Sequence, residues 1–329
     1  MLNSLIIRCL ISFLIALFIS FCFYSRVYFP PHKSEQMRNL EYTFNNDDYN
    51  DVIFIGSSRV LRQINPLLID SITHLRSYSL GIDQIGIIES KMLLKSYLAH
   101  HPKPKVVFLN IDLSTFMFNT KSAGPYNLDE YFSYLDDTLI YNELSRYNFR
   151  IKYKDFFEKW FHTKSFWKSF TLNDSEKKEY FLGRNNHQNQ DKSPKIMQSR
   201  GFIETDRNWN EQAQTELEEI NKAVPTNIPT TQAGFELLNE FCDLCAKNRI
   251  ECKFVFVPWY NKVNRNPDHF EVLQKVKDIA SLKKVPFIDY SNLSMAGSSK
   301  YFYDCWHFNK LGSRRYSILL AEEILKNKL

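Results

Sequence analysis

Short apolar runs alternate with helix-patterned segments along this chain, and that alternation restricts the fold more than any other feature. Residues 52–55, 77–80, 106–109, 254–257 and 286–288 read as five strands. Apolar residues recur at helical spacing over 84–98, 235–246, 270–282 and 313–325. Pro102, Pro104 and Pro258 punctuate these segments. Strands that are apolar on both faces need helices on both sides, so the expected fold is α/β with a doubly wound, five-stranded parallel sheet. In such sheets a ligand site forms outside the carboxyl ends of the strands.

Residues with useful chemistry collect at that edge. Ser57, Ser58 and Arg59 follow the first strand, Gly81 ends the second, and Asn110 and Asp112 follow the third. Asp304 and His307 come after the fifth. A serine hydroxyl is a weak nucleophile until a base takes its proton. His307 is the candidate base, and Asp304, three residues earlier, can orient its ring and stabilise the imidazolium. Ser57 and Ser58 are both candidate nucleophiles on this reading. The Gly-Ser-Ser turn is also what a plain strand-to-helix junction looks like, because serine caps helices. Arg59 can steer an anionic group or make a surface ion pair. Cys305 and Trp306, between the acid and the base, are expected to pack.

Other chemistries find little support. The 42 Lys and Arg against 37 Asp and Glu give a net charge of +5, which demands no polyanionic partner, and no nucleic acid is expected. No Gly-rich phosphate loop, His-Glu-x-x-His or dinucleotide fingerprint occurs. Cys242 and Cys245 form a single Cys-x-x-Cys within a helical pattern, without a second pair at metal spacing. With Cys252 and Cys305 they are expected to be buried thiols. Neither cofactor nor metal is expected.

The first 25 residues are organised differently. Residues 9–24 are uncharged and apolar, and extension back to Leu5 admits only Arg8. About 20 such residues at 1.5 Å rise span a bilayer core. No small-x-small cleavage site follows, and Phe21 before Cys22 argues against a lipidated cysteine. The expected organisation is a transmembrane anchor (1–25), a juxtamembrane linker (26–50) and a domain over 51–329. Arg8 before the anchor and Arg26 and Lys33 after it leave its orientation open.

Residues 114–231 interrupt the α/β pattern and are too long for a loop without structure of its own. Within them, residues 146–168 carry seven basic against two acidic residues, interleaved with aromatics such as Tyr153, Trp160 and Trp167. A largely helical insertion with a solvated basic face is one reading. A cap that touches anionic headgroups or substrate is the other. Residues 173–212 are polar and charge-mixed and are expected to be mobile.

The two terminal blocks of the domain resemble those of the SGNH (GDSL-type) hydrolases. Val52-Ile-Phe-Ile-Gly-Ser-Ser-Arg59 is similar to the family's first block, an apolar strand followed by Gly-Asp-Ser, and Asp304-Cys-Trp-His307 is similar to its last, Asp-x-x-His. The resemblance implies a flavodoxin-like fold and assigns the nucleophile to Ser58, with Ser57 in place of the family's aspartate. It implies oxyanion donors at the Ser58 and Gly81 backbone N–H groups and an asparagine after the third strand. Here that third block reads Leu109-Asn-Ile-Asp-Leu-Ser114: Asn110 can serve, but strict alignment places Asp112 there. The departures resemble the membrane-anchored branch that includes the D-alanine transfer protein and the alginate O-acetylation proteins. That branch implies an extracytoplasmic serine esterase or O-acyltransferase acting on acylated envelope glycan, with a membrane-bound acyltransferase as partner. A catalytically silent protein that keeps the fold and binds glycan or that partner is the alternative, and a purely structural anchor is a third.

Overall fold

A computed structural model describes residues 2–27, 35–45, 48–116, 131, 134, 137–147, 198–223, 232–264 and 267–326. The chain divides into two compact units, Met1–Ser34 and Glu35–Leu329. The first contains helix α1 (Leu2–Val27), on which Leu10, Phe13, Leu14, Leu17 and Phe18 are exposed. Side chains of α1 are described at residues 7, 8 and 10–20. Among the described residues no helix is long and apolar enough to cross a membrane. The stretch expected to be a transmembrane anchor is therefore helical, without a membrane-crossing helix being found.

The second unit opens earlier than the apolar pattern suggested. A 3-10 turn (Glu35–Met37) and helix α2 (Arg38–Asn45), assigned above to the linker, bury Met37, Leu40 and Tyr42. Asn39 donates to the carbonyls of Gly81 and Gly201, at 2.7 and 3.0 Å, which ties α2 to the sheet edge.

Strands β1 (Val52–Gly56), β2 (Ser77–Gly81), β3 (Val106–Asn110), β4 (Glu251–Phe256) and β5 (Phe287–Asp289) form one parallel sheet in the order β2-β1-β3-β4-β5. This is the flavodoxin-like order, whose switch point lies between β1 and β3. Val52, Ile53, Phe54 and Ile55 have no exposed surface, as expected for a central strand covered on both faces. The fourth strand begins before its apolar run because Lys253 is also enclosed, 3.2 Å from Glu251.

Helices α3 (Ser58–Gln63) and α4 (Pro66–Thr73) lie between β1 and β2 and were not expected from periodicity, being short. Local signals do explain α4: Asn65 caps the Leu68 N–H and Pro66 occupies the first turn. Helix α5 (Ile87–His100) connects β2 to β3, and α6 (Thr138–Tyr147) packs against it. Helix α7 (Glu211–Lys222) is followed by α8 (Gln232–Lys247) before β4, α9 (Pro267–Lys283) joins β4 to β5, and α10 (Lys310–Lys326) closes the chain against α3 and α4. Gly81 sits where α3 crosses β2. A Cβ there would lie 2.2 Å from the Leu61 nitrogen, so only glycine admits the helix this close.

Most of the basic aromatic stretch at 146–168 lies outside the described residues. The later part of the insertion returns to the domain. Arg200 accepts a backbone hydrogen bond from Ser79 at 2.9 Å, Ile203 donates to Leu61 at 2.9 Å, and Phe202 is buried. Residues 200–205 are therefore tied by main-chain hydrogen bonds to β2, α3 and the start of α10, while residues 173–197 of the stretch expected to be mobile lie outside the described residues. Backbone pairing, to which composition is blind, holds them.

Candidate active site

The chain leaves β1 through Gly56, whose φ of +156° only glycine adopts easily. A Cβ at this residue would stand 2.7 Å from both the Asn110 Cβ and the Val60 Cγ2. Ser57 then forms the extended N-cap of α3, and Ser58 is the first helical residue. Its backbone N–H belongs to the first turn, whose amides have no intrahelical acceptor and form the positive end of the helix.

This one-residue difference separates the two serines. Ser58 Oγ lies 2.8 Å from His307 Nε2 and is partly open to solvent. Ser57 is buried, and its hydroxyl donates to Asp112 Oδ2 at 2.7 Å. His307 Nδ1 lies 2.9 Å from Asp304 Oδ2 and 3.1 Å from Oδ1. Since an ionised carboxylate only accepts, Nδ1 carries the proton and Nε2 presents its lone pair to Ser58.

The loop bearing Asp304 and His307 is held by its own residues. Asp304 Oδ1 accepts the backbone N–H groups of Trp306 and His307, at 2.8 and 2.7 Å. Burial works to raise the Asp304 pKa, but hydrogen bonds from the His307 ring and these two amides outweigh it and leave the carboxyl below its usual value. Phe302 and Phe308 bridge across the loop's base, and Asn309 donates to the Lys300 carbonyl at 2.8 Å while accepting the Gly312 N–H at 3.0 Å. Asn309 thus starts α10 as well as fixing the loop.

The remaining candidates are committed elsewhere. Asn110 donates to Asp112 Oδ2 at 2.9 Å and accepts the Val257 N–H at 3.4 Å, with 1% of its surface exposed. Asp112, 2% exposed, is held by Ser57 and Asn110 together. Arg59 is turned inward rather than toward solvent. Its guanidinium donates to the Val257 carbonyl at 3.2 Å and lies 4.7 Å from the centre of a Trp259 ring. Burial pushes its pKa down, while Asp112 and Asp304 push it up. Arg59 is therefore an interior cation held by Val257 and Trp259. Burial, aided by Glu216 and Asp304, pushes the Cys305 thiol up to about 12, which keeps it protonated and packed. Cys242, Cys245 and Cys252 are buried and free, and no metal-holding cluster occurs among the described residues.

Sequence reading missed three neighbours of the site. Tyr303 stacks on the His307 ring at 5.5 Å and 11°. Arg207 lies over Tyr303, 4.2 Å from the ring centre. Glu216 on α7 lies near the loop of Asp304 and His307, where burial, aided by Asp304, raises its pKa. Tyr303 was visible inside the last block. Arg207 and Glu216 carried no signal, because nothing in their local pattern ties them to a site built elsewhere.

The arrangement can shift a proton from a serine hydroxyl to an imidazole that a carboxylate orients. No family model matches the chain, and no curated protein matches it. Among solved structures, a Bacteroides fragilis protein provisionally assigned as an acylhydrolase aligns over 91% of this chain and 98% of its own, with a TM-score of 0.41 and 12% identity. A likeness this distant carries no argument, and the site is read from its own geometry.

Proposed function

We propose that this chain is a serine esterase or O-acyltransferase of SGNH type, acting through an acyl-serine intermediate. One observation carries the reading: Ser58 Oγ, His307 Nε2, His307 Nδ1 and Asp304 Oδ2 form a continuous relay with contacts of 2.8 and 2.9 Å. Ser58 attacks the acyl carbon as His307 takes its proton. The tetrahedral oxyanion is stabilised by the amides that open α3, with the Ser58 N–H foremost. His307 then protonates the leaving alcohol. Release of the acyl group to water gives an esterase, and release to a sugar hydroxyl gives a transferase.

The wider setting belongs to the same proposal. The apolar run of α1 supports a single-pass membrane anchor, with the domain outside the cytoplasmic membrane. An acylated envelope polysaccharide is the substrate, and a membrane-bound acyltransferase is the partner that supplies the acyl group. These steps rest on the resemblance of the terminal blocks to the membrane-anchored branch. The alternative, a silent binding protein, draws on the third block, where Asn110 is engaged by Asp112 and Val257.

Labelling of the detergent-solubilised full chain with a fluorophosphonate probe tests the reading. Wild type and Ser57→Ala label, while Ser58→Ala and His307→Ala, shown to be folded, do not. Folded wild type that stays unlabelled, with or without acceptor glycan, sinks the enzymatic reading in favour of the silent one.

A further inference from the structure

Two arginines stand on the flank of the site near Ser58 and Tyr303. Arg62 stands four residues after Ser58 on α3, which puts both on one helix face with their Cβ atoms about 6 Å apart. Its guanidinium gives one nitrogen to Asp83 at 2.7 Å and retains further donors. Arg207 approaches the same tyrosine from residues 198–212, with its guanidinium 4.2 Å from the ring centre. Tyr303 in turn stacks on His307, the residue in contact with Ser58. Arg207, Tyr303, His307 and Ser58 thus form an unbroken series from an exposed cation to the reactive hydroxyl.

The acids nearest Arg207 in sequence face Lys310, with Glu204 and Asp206 at 2.7 and 3.7 Å from its ammonium. Among the described residues Arg207 makes no ion pair, and it is exposed.

We propose that Arg207, with Arg62, forms an anion subsite that selects esters carrying a carboxylate or phosphate group within about one sugar ring of the scissile bond. This rests on the reading of Ser58 as nucleophile. A guanidinium matches both anions, because its planar fork of donors pairs with two oxygens at once. Stacking on Tyr303 holds Arg207 in place and limits the rotamer freedom it would lose on binding. The aromatic wall of Tyr303 also gives a sugar face a surface to lie on.

The test compares three esters built on one ring: acetylated glucose, acetylated glucuronate and acetylated glucose 6-phosphate. With wild-type full chain, kcat/KM for at least one anionic ester exceeds that for the neutral ester by about tenfold or more, the size of one charged hydrogen bond. The preferred anion distinguishes a uronate from a sugar phosphate. Arg207→Gln collapses the ratio toward one, chiefly through KM, and Arg207→Glu inverts it. The wild-type ratio also falls as salt rises. A ratio unchanged by both Arg207 substitutions overturns the subsite while leaving the nucleophile intact. If no ester is cleaved and no fluorophosphonate label is taken, the serine reading has failed instead. Equilibrium binding of the two anionic esters to Ser58→Ala then decides the subsite alone: affinity lost in the added Arg207→Gln supports it, and unchanged or absent binding overturns it.

Discussion

Glu89 offers a direct measure of how the interior of this protein treats charge. It lies in the first turn of α5, 3% exposed, and accepts the Gly86 N–H at 3.0 Å as half of a capping box. Burial pushes its pKa from 4.5 to about 7. The folded protein therefore binds a proton more tightly than the unfolded chain does. The stability contributed by the neutral acid is fully present below pH 4.5 and is lost as the pH rises toward and through 7. At about 1.36 kcal/mol per pKa unit, the loss is about 3 kcal/mol. Glu89→Gln keeps the carbonyl acceptor and the shape but cannot ionise. In urea unfolding of the full chain in detergent, the variant and wild type should differ little near pH 4.5. The variant should gain on wild type up to pH 7 and lead by about 3 kcal/mol at pH 8. A gap that stays flat between pH 5 and 8 would refute the reasoning, since it would mean that Glu89 titrates alike in both states.

Two further outcomes follow from the site. Asp304→Asn should preserve the loop's backbone hydrogen bonds but present the wrong partner to His307 Nδ1, lowering ester turnover by about 10³ to 10⁴ with a near-native unfolding midpoint; turnover within tenfold of wild type would remove Asp304 from the relay. Arg59→Met should destabilise the domain by roughly 1–3 kcal/mol, because it leaves the buried Val257 carbonyl without its guanidinium donor. Denaturant unfolding reads this directly, and a neutral or stabilising effect would show that this hydrogen bond contributes nothing to the fold.

The sheet was legible because its strands are covered on both faces, so each leaves a continuous apolar run bounded by turn residues. Strand order was not legible in the same way, because the positions of helices along the chain do not fix which strands are neighbours; the flavodoxin-like order was implied only by the resemblance. The Asp304–His307 pair was legible for a local reason: both belong to one loop, and the carboxylate that orients the ring also caps the loop's backbone. The choice between Ser57 and Ser58 was harder, because the two are adjacent and chemically identical. Helix geometry separates them, sending one hydroxyl to His307 and the other to Asp112. Arg59 read as a surface charge because a lone arginine says nothing of its direction, and only Trp259 and Val257 reveal it. The attachment of residues 200–205 was hidden for a similar reason. Their hydrogen bonds to Ser79, Leu61 and Lys310 use main-chain groups that every residue possesses.

Ser58 and His307 stand 249 positions apart in the chain. On the proposed reading this separation sets when activity can begin. The hydroxyl is made early in translation, and the imidazole arrives only as the final loop and α10 emerge. Until that last segment docks, the serine has no group to accept its proton and is chemically inert toward any acyl donor it meets. A chain cut short before residue 304 would retain every strand of the sheet yet hold a nucleophile that cannot fire. Docking of the loop that carries Asp304 and His307 thus arms the serine.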